Sequence, residues 1–182
     1  MRIAVSGAHR TGKTTLVEAL QERLAGHVAV DEPYHLLEEE GHEFAEMPCF
    51  EDFELQLERP IELVLDDEGA SDRIFDRCPA DLLAYLVTHE ESEGFDVEAW
   101  LPRVRRAMQQ LDLVVFVPVE EPDRVAVSSR DHAGLRRRVD EELRDIVLGD
   151  RWRLGVESLE VTGSVRERVR QVLSRLEPPE KP

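Results

Sequence analysis

The chain has 182 residues and a formal net charge of −17, and 41% of its residues are hydrophobic while 35% are charged. This length and composition predict one globular domain with a full core. Because so negative a chain repels polyanions, general binding to nucleic acid or to an anionic membrane is disfavoured.

Apolar runs typical of buried strands recur along the chain and predict five strands, at 2–7, 27–33, 71–76, 111–119 and 157–163. Stretches with helical spacing of apolar residues lie between and after them. They predict helices at 13–25, 53–65, 79–90, 95–110, 134–149 and 165–176. We expect Pro60 to disturb the second of these helices. The acidic segment 35–49 is predicted to be a loop or a short helix.

The alternation of strands and helices predicts an α/β fold, in which a parallel sheet is covered by helices on both faces and binds ligands at the carboxyl ends of its strands. No repeat or linker interrupts the pattern, so we expect a single domain over residues 1–176. The tail 177–182 has nothing to bury and is expected to fray. The absence of a signal peptide and of an apolar run near about 18 residues predicts a cytoplasmic protein.

The stretch GAHRTGKT, residues 7–14, satisfies the pattern G-x-x-x-x-G-K-[ST] between the first strand and the first helix. Glycines permit a tight turn whose backbone amides face one anion, and the following helix adds its positive end. Lys13 would neutralise the β- and γ-phosphate oxygens, and the Thr14 hydroxyl would ligate Mg²⁺. The sequence therefore predicts ATP and Mg²⁺ as cofactors. The predicted phosphate-binding residues are Gly7, Ala8, His9, Arg10, Thr11, Gly12, Lys13, Thr14 and Thr15.

Two acidic strand ends are expected beside this loop. The second strand ends at Asp31 and Glu32, and the third ends at Asp76 and Arg77. A carboxylate at this place can orient Mg²⁺, and Arg77 can offset the charge of a transferred phosphoryl group. Glu32 is placed to accept a proton from an acceptor hydroxyl, although it could equally be an exposed acid.

With these residues, the chain resembles the nucleoside and nucleotide kinases among P-loop proteins. DEPY (31–34) is similar to the Glu-Pro element of deoxynucleoside kinases, and DRCPADLLAY (76–85) to the Asp/Glu-Arg elements of deoxynucleoside and thymidylate kinases. Small bacterial AAA-type ATPases of the same architecture are also similar. The resemblance implies a three-layer P-loop NTPase fold with sheet order 2-3-1-4-5. It also implies that Glu32 is the base, Asp76 the metal-side carboxylate and Arg77 the phosphate-side cation.

The same resemblance suggests roles for three further regions. It implies a substrate pocket at Phe53, Gln56 and Arg59, and an adenine side at Gly163, Ser164 and Val165. It also implies a lid at about 120–138, with Arg130 and Arg137 as catalytic candidates. Solvent-exposed helix faces remain alternatives for the polar residues of the pocket and for the lid arginines.

The sequence therefore predicts an enzyme that transfers the γ-phosphoryl group of Mg·ATP to a small acceptor, most simply a nucleoside or nucleotide. Two alternatives stay open: a kinase of another small hydroxyl metabolite, and a regulatory module that hydrolyses ATP slowly. The expected partner is a small molecule. Nucleic acid and membranes are not expected to be partners. A homodimer is compatible with the sequence, which does not determine the oligomeric state.

Overall fold

A computed structural model of the chain describes residues 1–44, 49–66, 72–89, 92–121 and 130–177, and it leaves the side chains of 130–133 undescribed. Five strands form one parallel sheet in the order β2-β3-β1-β4-β5, which confirms the predicted topology. The strands are β1 (Arg2–Ser6), β2 (Val28–Val30), β3 (Arg73–Asp76), β4 (Leu113–Phe116) and β5 (Ser158–Glu160). Each is shorter than its apolar run, because pairing ends where the loops turn away.

Within the described ranges, seven helices connect and cover the strands: α1 (Lys13–Gln21), α2 (Pro33–Glu39), α3 (Phe50–Leu65), α4 (Pro79–Thr88), α5 (Val97–Met108), α6 (Arg130–Val147) and α7 (Val165–Leu176). The acidic segment after β2 contains the short helix α2. The expected disturbance at Pro60 does not end α3, which continues to Leu65. Burial of Leu57, Ile61 and Val64 on this helix offsets the hydrogen bond that proline cannot donate.

The sheet has a hydrophobic layer on each face, because successive side chains of a strand point to opposite sides. Ile3 and Val5 of β1 pack in a cluster with α1 and α7. Ala4, from the same strand, packs in the cluster formed with α3, α4, α5 and α6. The result is the three-layer arrangement that the sequence predicts. Among the described residues, no helix is both long and apolar enough to cross a membrane.

The parallel register brings the carboxyl ends of the strands to one edge of the sheet. Val5 of β1 pairs with Asp76 of β3, and Ser6 pairs with Phe116 of β4. The loops after β1, β2, β3 and β4 therefore leave the sheet side by side, and the candidate site lies where they meet.

Candidate functional site

The loop between β1 and α1 requires glycine at both of its ends. A Cβ atom added to Gly7 would lie 2.4 Å from the carbonyl oxygen of Val117 and 3.0 Å from the Thr11 hydroxyl oxygen. Gly12 caps α1 in the left-handed conformation, with a φ of 87°. The loop therefore curls tightly against the residue that follows β4.

A run of backbone amides on this loop has no hydrogen-bond acceptor in the part of the chain that the structure describes. No described oxygen atom accepts a hydrogen bond from the amides of Arg10, Thr11, Gly12, Lys13 or Thr14. These amides lead into the N-terminus of α1, where the helix dipole favours negative charge. Consecutive unsatisfied amides at a helix N-terminus form an anion-binding site.

Lys13 is buried beside these amides, where its Nζ donates a hydrogen bond of 3.0 Å to the carbonyl oxygen of Ala8. The Thr11 hydroxyl donates to the same oxygen, also at 3.0 Å. Burial, and then the positive charge of Arg77, lowers the pKa of Lys13 to about 8. The ammonium group is therefore held in a position where additional negative charge would stabilise it.

The other predicted residues of the loop differ in their surroundings. Ala8 is buried in the core, whereas the Arg10 and Thr15 side chains are exposed. The backbone amide of His9 donates to the Tyr85 hydroxyl at 2.9 Å, and Nδ1 of the His9 ring lies 3.1 Å from the same oxygen. His9 is thus attached to α4.

Thr14 and Asp76 meet at the base of the loop. The Thr14 hydroxyl donates to Asp76 Oδ2 at 2.6 Å, and Asp76 Oδ1 is buried without a hydrogen-bond partner among the described residues. Burial raises the pKa of Asp76, although the charge of Lys13 and the Thr14 hydrogen bond act in the opposite direction. An unpartnered carboxylate oxygen next to a hydroxyl matches the hard oxygen ligands that Mg²⁺ prefers.

Arg77 is a buried cation that connects three elements. Its Nε donates to Glu32, which precedes α2, and its Nη1 donates to the carbonyl oxygen of Gly7 at 3.3 Å. The same Nη1 lies 3.5 Å from Asp81 Oδ1. Burial alone would raise the pKa of Glu32, but the charges of Arg77 and Lys13 outweigh it and lower this pKa to about 2. Glu32 is therefore a carboxylate at neutral pH.

Two residues of α4, Asp81 and Tyr85, contact the loop, although the sequence analysis assigned them no role. Asp81 is fully buried and accepts hydrogen bonds from the amides of Gly7 and Cys78, both at 3.0 Å. Tyr85 follows one helical turn later and contacts His9. The signal in the sequence was their spacing of four residues directly after the DRCP element, which places both on one helix face.

The predicted substrate residues lie on α3. Phe53 stacks on Tyr85, with ring centroids 5.1 Å apart and an interplanar angle of 11°. Gln56 is buried, and its Nε2 has no partner among the described residues. Arg59 is half-buried and pairs with Glu40, which directly follows α2, and, at 3.4 Å, with Glu62.

The structure describes the side chain of Arg137, one of the two arginines predicted for the lid. Arg130 begins α6, but its side chain lies outside the described residues, as do residues 122–129 of the predicted lid. Arg137 is exposed and lies 3.3 Å from Glu121. The neighbouring Arg136 is buried and donates to the carbonyl oxygens of His9 at 2.8 Å and Arg10 at 3.1 Å. Its spacing from buried Val139 and Leu143 indicates an inward position, a signal that the sequence analysis missed.

The predicted adenine side is connected to the loop by two residues that were not expected. Glu120 Oε1 accepts from the Gly163 amide at 2.7 Å and from Arg168 Nη2 at 3.0 Å. Arg168 also donates to the carbonyl oxygen of Thr11 at 2.8 Å. Ser164 caps α7 by accepting from the Glu167 amide, and Val165 begins that helix. No local sequence pattern predicts these contacts of Glu120 and Arg168, because their partners are distant in the sequence.

This architecture is that of the P-loop kinases. Deoxyadenosine kinase from M. mycoides with bound dATP superposes with a TM-score of 0.64 and 13% identity, covering 97% of this chain and 99% of that chain. Thymidylate kinase from Ehrlichia chaffeensis gives a TM-score of 0.67 at 15% identity, over 97% and 98%. Shikimate kinase from Aquifex aeolicus gives 0.56 at 18% identity, over 97% and 96%.

A family model described as AAA domain matches residues 2–168. The chain therefore belongs to this family, and the expected resemblance to nucleotide kinase-like P-loop proteins is confirmed. No curated protein sequence matches the chain significantly.

Substitution of Gly7 by alanine tests the geometry of the loop. We expect Gly7→Ala to abolish binding of Mg·ADP and to lower the unfolding temperature, because the new Cβ would collide with backbone. Gly26→Ala is the control, because Gly26 also has positive φ but has nothing within 4 Å of an added Cβ. Gly26→Ala should lower the free energy of unfolding by only about 1–2 kcal/mol and should retain Mg·ADP binding. Equal effects of the two substitutions in calorimetry and thermal unfolding would contradict the close packing of the loop.

Proposed function

We propose that the protein is a phosphotransferase that binds Mg·ATP and moves the γ-phosphoryl group to a small acceptor, with a nucleoside or nucleotide favoured. The observation that carries this proposal is the run of amides from Arg10 to Thr14, which have no acceptor among the described residues, beside buried Lys13. Although the net charge of the chain is −17, these N–H groups and the buried ammonium group place positive charge at the loop, which suits a polyphosphate. In the proposed complex, the amides and Lys13 bind the β- and γ-phosphates.

Thr14 and Asp76 are the proposed residues for holding Mg²⁺. The buried, unpartnered Oδ1 of Asp76 supports this assignment, since a bound cation would satisfy it. Bound Mg²⁺ would supply charge neutralisation between phosphate oxygens. It would also favour the ionised form of Asp76, against the effect of burial.

Glu32 and Arg77 are proposed to serve the acceptor. A carboxylate with a pKa of about 2 is a weak base, but it is a permanent hydrogen-bond acceptor. In a loose phosphoryl-transfer transition state, orientation of the attacking hydroxyl matters more than early removal of its proton. We propose that Glu32 orients the acceptor hydroxyl and accepts its proton late, as the bond between the γ-phosphorus and the acceptor oxygen forms and the bond to the leaving oxygen of ADP breaks. The proton then passes from Glu32 to solvent. Arg77 holds Glu32 in place and offsets charge near the Gly7 carbonyl.

The preference for a nucleoside or nucleotide is supported by Phe53, Tyr85 and Gln56. The stacked rings of Phe53 and Tyr85 are buried, and Gln56, on the same helix as Phe53, has an amide nitrogen without a partner among the described residues that can donate a hydrogen bond to a base. The structural neighbours named deoxyadenosine and thymidylate kinase agree with this preference. Shikimate kinase shows that the fold also serves an acceptor that is not a nucleotide.

The remaining predicted residues surround the nucleotide in this proposal. Gly163, Ser164 and Val165 border the adenine ring, in a turn that Glu120 and Arg168 connect to the loop. Arg130 and Arg137 belong to the proposed lid. The exposed position of Arg137 beside Glu121 leaves its guanidinium accessible to a phosphate.

The function is tested by measuring ADP formation from Mg·ATP against a panel of nucleosides, nucleotides and hydroxyl metabolites. We expect at least one acceptor to accelerate ADP formation and to be phosphorylated stoichiometrically. Lys13→Met should abolish this activity, whereas Arg23→Met, which removes the same charge from an exposed position just after α1, should retain it. Slow ADP formation that no acceptor changes would contradict transfer and favour the regulatory ATPase, and undiminished activity of Lys13→Met would refute the role of Lys13.

The pKa of Lys13 predicts how nucleotide affinity depends on pH. Because bound phosphates stabilise the ammonium form, the pKa of Lys13 rises on binding. Affinity is then unaffected by this group below pH 8 and falls above it, by up to about tenfold per pH unit until the pKa of the complex is reached. Calorimetry with Mg·ADP between about pH 7 and 9.5 should show proton uptake on binding. Lys13→Met should bind weakly with no such uptake, and equal proton uptake by this variant would assign the titration to another group.

Glu32→Gln separates orientation of the acceptor from nucleotide binding. We expect the affinity for Mg·ADP to change less than about threefold, while kcat falls about 100-fold or more, within the range typical of acid–base groups. The matched control is Glu38→Gln, an exposed acid of α2. Because Glu32 stays ionised above about pH 4, the wild-type rate should show no acidic limb from this residue above that value. Unchanged kcat in Glu32→Gln would remove Glu32 from the mechanism.

A further inference from the structure

Three consecutive carbonyl oxygens of the loop accept hydrogen bonds from two buried arginines. Arg136 of α6 donates to the carbonyl oxygens of His9 and Arg10, at 2.8 and 3.1 Å. Arg168 of α7 donates to that of Thr11 at 2.8 Å. The arginines are only 3% and 4% exposed. Two guanidinium groups are therefore committed to the backbone of a single short loop, from two different helices.

These contacts determine where the amides of the loop point. In a planar trans peptide, the C=O of one residue and the N–H of the next point in opposite directions. A guanidinium that holds the His9 carbonyl on one side therefore directs the Arg10 amide to the other side. The same relation joins the Arg10 carbonyl to the Thr11 amide and the Thr11 carbonyl to the Gly12 amide. These are three of the amides that have no acceptor among the described residues.

The backbone of Arg10 supports the same interpretation. Arg10 has a φ of 58°, a left-handed conformation that costs about 1–3 kcal/mol for most residues other than glycine. Its own side chain is exposed, so the local sequence gives no reason for this conformation. The contacts of Arg136 with the carbonyls of His9 and Arg10 provide a reason from outside the loop.

We infer that Arg136 and Arg168 are positioning residues that hold the phosphate-binding amides in their productive orientation. Arg136 orients the amides of Arg10 and Thr11, and Arg168 orients the amide of Gly12. Glu120 holds the Arg168 guanidinium in turn, at 3.0 Å. This inference rests on the proposed nucleotide binding, because it names what prepares that site. It assigns neither arginine a contact with the nucleotide.

Two effects of Arg136 can be separated by substitution. If the arginine acted only through its charge, lysine would replace it. If it positions the loop, lysine fails, because one ammonium group on a shorter side chain does not reproduce the planar two-point contact with two carbonyls. Arg170 is the matched control, since it is exposed and lies two residues from Arg168 on α7, outside the proposed lid.

The experiment measures Mg·ADP affinity by calorimetry in Arg136→Met, Arg136→Lys, Arg168→Met and Arg170→Met. We expect affinity to fall about tenfold or more in the first three variants and less than about twofold in Arg170→Met. A wild-type affinity in Arg136→Lys would overturn the positioning role in favour of simple charge. If Arg136→Met does not fold, the folded Arg136→Lys variant still decides the question.

Amide NMR shifts provide a readout that a general loss of stability does not produce. When Mg·ADP is added to the wild-type protein, the amide protons of Arg10, Thr11 and Gly12 should move downfield. At saturating Mg·ADP, Arg136→Lys should reduce the shifts of Arg10 and Thr11 but keep that of Gly12, and Arg168→Met should do the reverse. Uniform loss across all three amides would overturn the assignment. Absence of binding by the wild-type protein would refute the proposed function itself, which is a distinguishable result.

Discussion

The buried guanidinium of Arg77 is the interaction on which the site depends. It lies between Glu32, the Gly7 carbonyl and Asp81, and its plane faces the ring of Tyr85 at 5.3 Å. A charge taken out of water costs several kcal/mol unless partners surround it. Burial alone would lower the pKa of Arg77, but the negative charge of Glu32 raises it well above its ordinary value. The partners come from the end of β2, from the loop and from α4, so the need to solvate one cation holds three chain segments together.

The distribution of charge extends this argument to the whole protein. The chain carries 40 acidic and 23 basic residues, yet the buried basic side chains among the described residues all contact the loop: Lys13, Arg77, Arg136 and Arg168. Exposed acids surround them at a distance and are screened by water and salt. Inside the protein the dielectric screening is weaker, so these four cations, together with the carboxylates of Glu32, Asp81 and Glu120 that pair with them, act on the loop more strongly than the distant exposed acids do. An acidic protein can therefore retain a site for a small anion while repelling large polyanions.

The features that sequence predicted well are those encoded by adjacent residues. The motif at 7–14 determines the turn, the free amides and the helix start within eight residues. The alternation of apolar runs and helices indicates a parallel sheet, whereas its strand order came from the resemblance to nucleotide kinases. The strand bounds were too long, because an apolar run also includes buried residues beyond the last pair. β2, for example, spans only Val28–Val30. The pairing itself ends where the chain must turn towards the site.

The features that sequence did not predict depend on contacts across the fold. Arg136 and Arg137 are adjacent, but a rotation of about 100° around the helix separates them, so one is buried against the loop and the other is exposed. Arg168 contacts Thr11 across 157 positions of the chain. Neither contact follows from local composition, because only the packing of α6 and α7 brings these side chains to the loop. The residues that support the motif, Arg136 and Arg168, are therefore harder to predict from the sequence than the motif itself.

The hydrogen bonds within the loop also indicate which groups contribute most to binding. Lys13 and Thr14 already have hydrogen-bond partners, the Ala8 carbonyl and Asp76, and would exchange them for phosphate or metal. Such an exchange yields only the difference between two hydrogen bonds. The amides from Arg10 to Thr14 give up no partner among the described residues, so their interaction with an anion is opposed only by the loss of solvent. The backbone of the loop, held open by surrounding side chains, is therefore the main source of hydrogen bonds to the phosphates. Lys13 contributes through its charge, both to nucleotide binding and to the transition state of transfer.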